Sequence, residues 1–143
     1  AIEDNLKPIK AFVTVKASVA ALENILRHPA NFKKYSYECM EAYLIEQKSA
    51  NELYAYTATH APWPVKNRDN VTLLKFNYLE NGAVKVVIKD YPNHIPQKED
   101  FVRVPFLEGS WLFTPIDDKT TQIEYRLIPM LAAAFRIGYR ICL

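Results

Sequence analysis

Along most of this chain apolar and polar residues alternate with a period of two, the pattern of strands that bury one face. Ile9 to Lys16 is the first such run, with Ala11, Val13 and Val15 on one side. Ser18 follows, and its hydroxyl suits the free amides of a first helical turn. Val19, Leu22, Ile25 and Leu26 then recur at helical spacing until Pro29, after which Pro29 to Lys34 adds one short turn. Strand patterns resume over Cys39 to Lys48 and Glu52 to His60, separated by the polar turn Ser49-Ala50-Asn51. The prolines of Ala61-Pro62-Trp63-Pro64 lack amide donors and interrupt pairing. Asn70 to Tyr78 and Ala83 to Asp90 read as a hairpin across Asn81-Gly82, two residues that accept positive φ. Tyr91 to Asp100, with Pro92 and Pro96, is a loop. Phe101 to Pro105, Glu108 to Thr114 and Thr121 to Ile128 are further strands, the last two joined by the polar turn Asp117-Asp118-Lys119.

After Pro129 the period changes. Leu131 to Leu143 is rich in Ala and Leu and predicts a helix with Leu131, Phe135, Tyr139 and Cys142 along one side. Arg136 and Arg140 lie on the other. Its 13 residues are too few to span a bilayer, which takes about 20. Strand, helix, many antiparallel strands, then helix is an α+β order. The arrangement expected is one curved antiparallel sheet, with the Ser18 helix at one end and the Leu131 helix against its concave face.

Composition narrows the functional classes. The 143 residues suit a single domain with its own core. With 18 Lys and Arg against 16 Asp and Glu, the net charge of +2 gives no basic excess for a nucleic acid. Only 3 glycines are present, and no Gly-rich phosphate loop occurs among them. His28, His60 and His94 share no ligand spacing, so a zinc site is not expected. His60 has no accompanying nucleophile motif, which argues against an enzyme. Cys39 and Cys142 are compatible with one disulfide, but two independent buried thiols are the favoured reading. The chain begins at Ala1 and not at Met, which reads as an upstream segment removed or left out. The compartment is therefore not read from the sequence; a periplasmic or secreted location and a cytoplasmic one are both open readings.

Aromatic residues are numerous, among them Trp63, Trp111, Phe76, Phe106, Tyr56 and Tyr125. They suit either an ordinary core or the lining of a small-molecule pocket. Arg68 and Asp69 adjoin at a strand entrance and are expected to hold Pro62 to Val65 through hydrogen bonds. Arg68 would otherwise contact a ligand at a pocket mouth. Trp63 is expected to be a packed anchor more than a ligand stack. Arg103 lies between Val102 and Val104. If it points inward it needs a partner, since an unpaired buried charge is costly; Glu38, Glu41 and Glu124 are the candidates. An outward, solvated Arg103 is an equal alternative.

Two stretches carry a resemblance. Pro62-Trp63-Pro64, followed after a short gap by Arg68-Asp69 and a strand, is similar to a signature of the START superfamily of lipid-transfer domains, within the wider SRPBCC group. Val102-Arg103-Val104-Pro105, Leu107-Glu108-Gly109-Ser110-Trp111 and Pro115 resemble the V-R-x-P, L-E-G-x-W and Pro positions of bacterial START-like proteins. The resemblance covers Ile9 to Ile128. It implies a helix-grip fold, a curved sheet around a C-terminal helix with an apolar cavity between them. It also implies a non-enzymatic lipid-binding or lipid-carrying protein with a hydrophobic small molecule or lipid as partner, transient membrane contact and no cofactor. An aromatase/cyclase-like enzyme on the same fold is the alternative. The ligand-contact candidates are Arg103, Trp111, Tyr125 and Phe76, with Tyr56, Trp63 and Arg68 beside them. The family's Asp-Pro-Gly-Gly is replaced here by Ile128-Pro129-Met130-Leu131. The domain, residues 1–143, thus reads as short at both ends, leaving the cavity more open or completed by a second chain. Exposure of the Leu131, Phe135, Tyr139 and Cys142 row would favour a homodimer.

Overall fold

Period-two alternation resolves into an eight-stranded sheet in a computed structural model that describes residues 9–36, 38–105 and 107–128. The strands are β1 (Ile9–Val15), β2 (Cys39–Ser49), β3 (Glu52–Thr59), β4 (Asn67–Tyr78), β5 (Val84–Asp90), β6 (Phe101–Arg103), β7 (Glu108–Asp117) and β8 (Thr120–Ile128). Seven run in the order β1-β8-β7-β5-β4-β3-β2, with every neighbouring pair antiparallel. The expected antiparallel sheet needs one amendment: β6 pairs with β4 in parallel, Asp69 opposite Arg103. That pairing also explains why β4 begins at Asn67, three residues before the alternation suggests. Asn67 pairs with Phe101 of β6, and Arg68 and Asp69 have partners on both sides, β3 on one and β6 on the other.

Two local devices follow the sequence closely. Ser18 caps α1 (Val19–Arg27) by accepting the Ala21 amide at 3.1 Å. Pro29 opens a 3-10 turn that leads into the short α2 (Phe32–Tyr35). Asn81 and Gly82 take φ of 61° and 76°, the positive values a tight turn between β4 and β5 requires.

The sheet has two differently dressed faces. The inner face, which α1 packs against, carries Leu53 and Ala55 of β3, Leu74 and Phe76 of β4, and Val86 and Ile88 of β5 in one buried cluster. Leu22 and Leu26 of α1 join it. Each fully buried aliphatic side chain there contributes roughly 1.5–3 kcal/mol by leaving water. The outer face carries a smaller apolar cluster, where Tyr56, Ala58 and Val71 of β3 and β4 pack with Tyr43 and Ile45 of β2, Phe101 of β6, and Tyr91 and Ile95 of the β5–β6 loop. Cys39 is a free, buried thiol. The Leu131 to Leu143 helix, the apolar row along it, Cys142 and Phe106 lie outside the described residues.

Candidate functional site

Alternation along β4 sends consecutive residues to opposite faces. Arg68, Asn70, Thr72 and Leu74 share the inner face; Asp69, Val71 and Leu73 take the outer. Arg68 and Asp69 therefore cannot act as one local unit, contrary to the reading of the sequence. Asp69 does not hold the proline segment. That segment is closed by its own turn, Val65 N–H to Pro62 O at 3.0 Å, and by Asn67, whose Oδ1 accepts the Ala61 amide at 2.9 Å.

Asp69 is fully buried on the outer face and accepts from three groups. Tyr56 donates its hydroxyl to Oδ2 at 2.9 Å, Arg103 Nε–H reaches Oδ1 at 2.7 Å, and Arg103 Nη2 reaches Oδ2 at 3.1 Å. Arg103 is 8% exposed and points neither toward the inner face nor into solvent: it is buried on the outer face, and its partner is Asp69, not Glu38, Glu41 or Glu124. The parallel β4–β6 register sets the two directly opposite, a contact invisible to short-range reading. Arg103 Nη1 also donates to the carbonyls of Pro92 (2.7 Å) and Ile95 (3.1 Å), and Nη2 to that of Pro96 (3.2 Å). All five guanidinium N–H groups are thus engaged within the protein. The group clamps the β5–β6 loop to β4 and has no donor left for a ligand head group. Tyr56 belongs to the same cluster. Burial, and then the adjacent Asp69 carboxylate, push its hydroxyl well above the usual tyrosine range.

The inner face is arranged differently. Trp111 of β7 and Tyr125 of β8 are cross-strand partners with ring centroids 4.4 Å apart. Both are half-buried against the apolar cluster. The Trp111 Nε1–H is buried and has no hydrogen-bond partner. Burial pushes the Tyr125 hydroxyl up to about 12, so it stays protonated at neutral pH. Phe76 is buried on the same face, with the Arg27 guanidinium 4.2 Å from its ring centre. The adjoining strand owes its close approach to Gly109 of the L-E-G-x-W segment: a Cβ there would meet the Arg126 carbonyl oxygen at 2.5 Å.

The seven sequence-predicted contact residues therefore do not converge. Trp111, Tyr125, Phe76 and Arg68 share the inner face, while Tyr56 and Arg103 belong to the outer cluster. Trp63 is 93% exposed in the β3–β4 loop, so it is no packed anchor. The turn from Pro62 to Val65 holds that loop outside the strands, away from the core cluster. Asn70, overlooked in the sequence, is buried on the inner face beside Thr57. Its position two residues beyond Arg68 in an alternating run was the available signal. Among the described residues no three His, Cys, Asp or Glu side chains come together as metal ligands would.

No family model matches the chain. An uncharacterised protein of Pseudomonas aeruginosa is 29% identical over 121 residues, which make up 85% of this chain and 59% of the relative's own length. Among solved structures, a STAR-related lipid transfer protein fragment from Xanthomonas axonopodis superposes with a TM-score of 0.78 at 27% identity, covering 85% of this chain and 68% of that one. The fold is that of the START-like superfamily, and the chain is similar to its members. Its helix-grip α+β fold is shared by human STARD10, with a TM-score of 0.75 at 22% identity over 90% of this chain and 54% of that one. The START-like fold also houses an aromatase/cyclase from Streptomyces sp. R1128, with a TM-score of 0.56 at 11% identity over 90% of this chain and 71% of that one. The fold is thus a lipid-binding one that also supports enzymes.

Proposed function

We propose that this chain is a lipid-binding or lipid-carrying domain that holds a hydrophobic ligand against its inner face. One observation carries the reading: the buried Trp111 indole N–H has no partner, and its ring lies against that of Tyr125 beside the apolar cluster of the inner face. A few convergent polar groups on an apolar wall are what ligand sites use to fix orientation. The STAR-related lipid transfer protein from Xanthomonas axonopodis supports the same reading by fold and by identity. Affinity would come from apolar burial, at about 25 cal/mol per Å² before association costs.

The test is titration with N-phenyl-1-naphthylamine, a neutral dye that brightens in apolar sites. The wild type is expected to bind it, and Trp111→Ala to bind it several-fold more weakly. Equal binding by both would move the ligand away from this face. The aromatase/cyclase-like alternative rests on fold likeness. It gains ground if a polyketide-like substrate incubated with the protein is recovered chemically changed, and the carrier reading requires it unchanged.

A further inference from the structure

On the inner face β3 and β4 place Thr57 directly opposite Asn70, with Ala55 opposite Thr72. These strands are otherwise dressed on that side with Leu53, Leu74 and Phe76. A carboxamide in such surroundings is costly unless each of its polar atoms has a partner. Thr57 supplies only half of what is needed. Its Oγ1–H donates to Asn70 Oδ1 at 2.6 Å, which fixes the orientation of the amide. The Nδ2 group then projects with no hydrogen-bond partner, on a residue only 3% exposed. Its two N–H groups are donors held ready by a neighbour and left without an acceptor.

We infer that the Asn70 carboxamide, oriented by Thr57, is a ligand-reading group that donates to a neutral acceptor, an ester, amide or ketone carbonyl, on a bound apolar molecule. The inference rests on the proposed ligand-binding role of the inner face and specifies the ligand it takes. Neutrality follows from the donors present. The amide carries no charge, and Arg68, two residues away on the same face, already has a partner. Arg103, buried on the outer face, faces away and has all its donors engaged. The site thus offers a hydrogen bond without a free positive charge. It selects a carbonyl over a plain hydrocarbon and does not require a phosphate or a carboxylate. Trp111 stands two strands away, beyond β5. The aligned residue on β4 is Phe76, six positions from Asn70. At roughly 3.3 Å per residue and 4.8 Å per strand, the two unpartnered donors are separated by about 20 Å of apolar surface. A ligand touching both is long and polar at more than one point.

The experiment is competition against N-phenyl-1-naphthylamine by methyl palmitate and by octadecane, which have similar length and differ in the ester. Wild type is expected to bind methyl palmitate about five- to fifty-fold more tightly than octadecane, the range of a hydrogen bond that relieves a buried unpaired donor. Asn70→Leu, and the Thr57→Val/Asn70→Leu pair that replaces both partners by apolar groups of similar shape, are expected to bind both competitors equally while keeping the dye. An ester preference retained in the folded variants overturns the assignment. So does its absence in the wild type, which needs no variant. If the dye, the ester and the alkane all fail to bind wild type, the carrier reading itself falls, and this one with it.

Discussion

The two faces of β3 and β4 are made from neighbouring residues, yet they treat polar groups in opposite ways. On the outer face Asp69, Tyr56 and Arg103 satisfy one another, and the remaining guanidinium donors bind three loop carbonyls. On the inner face Asn70 and Trp111 keep donors that nothing answers. A buried ionic cluster with every donor matched fixes a loop. A buried donor without an acceptor is a standing cost that folding alone does not explain. The contrast separates polarity that holds the fold together from the polarity assigned above to the proposed ligand, at adjacent positions of a single strand.

The largest expected effect breaks the outer cluster. Arg103→Ala leaves Asp69, which is fully buried, without its countercharge and frees the carbonyls of the β5–β6 loop. Removing one partner of a buried pair costs about 3–5 kcal/mol. Urea denaturation should show the midpoint falling by that equivalent with an unchanged slope. A loss below about 1 kcal/mol, the scale of an exposed pair, would erase the distinction between the faces. Dye binding at the inner face should persist in the folded fraction.

Next comes Gly109. Alanine there forces the β7–β8 approach apart, because the new Cβ meets a backbone oxygen at 2.5 Å. The expected loss is about 1–3 kcal/mol, the usual cost of overpacking. Thermal melts of Gly109→Ala check it, and an unshifted melt would show the two strands able to separate freely.

How much of this was legible beforehand depends on the range of each contact. Alternation, the Ser18 cap and the Asn81-Gly82 turn are local rules, and their elements fell within a few residues of where the sequence put them. That a buried Arg103 needs a charged partner was legible too, although the face that buries it is the outer one and not the inner one of that reading. The identity of the partner was not. Asp69 and Arg103 are 34 residues apart and meet through a three-residue parallel pairing that leaves no periodic trace. The adjacency of Arg68 and Asp69 misled, because residues next to each other in a strand are the least able to touch. The same parity argument, applied along β4, would have picked out Asn70.

A smaller effect distinguishes the faces by pH. The Tyr125 hydroxyl is pushed up to about 12 by burial, from an ordinary value of 10.0. For a group whose folded value is raised, stability is full below the unfolded value and is lost as pH rises toward the folded one. Tyr125 should therefore cost at most about 1.4 kcal/mol per pH unit between about pH 10 and 12. Melting temperatures at pH 9, 10 and 11 should fall less steeply in Tyr125→Phe than in wild type. Identical slopes would mean that the inner-face hydroxyl is solvated. Tyr56→Phe should also flatten the curve, but it leaves Asp69 with one acceptor site unfilled and so lowers stability at neutral pH as well, by about 1 kcal/mol.

The smallest expected effect concerns a residue on neither face. Trp63 is 93% exposed, and the turn that carries it is closed by backbone and Asn67 contacts that do not involve the indole. A buried tryptophan truncated to alanine loses about 3–5 kcal/mol, whereas a surface substitution away from caps and clusters stays within about 0.5 kcal/mol. Trp63→Ala should therefore melt with wild type, and the dye should bind it as before. A loss of several kcal/mol would mean that the indole is buried in the folded protein, and the proline segment would then count as part of the core. Asn67→Ala provides the internal control. It removes the acceptor of the Ala61 amide while leaving Trp63 in place, and should cost about 1 kcal/mol. If the asparagine matters and the tryptophan does not, the loop is held by its backbone contacts, and its most conspicuous side chain is free of any structural duty.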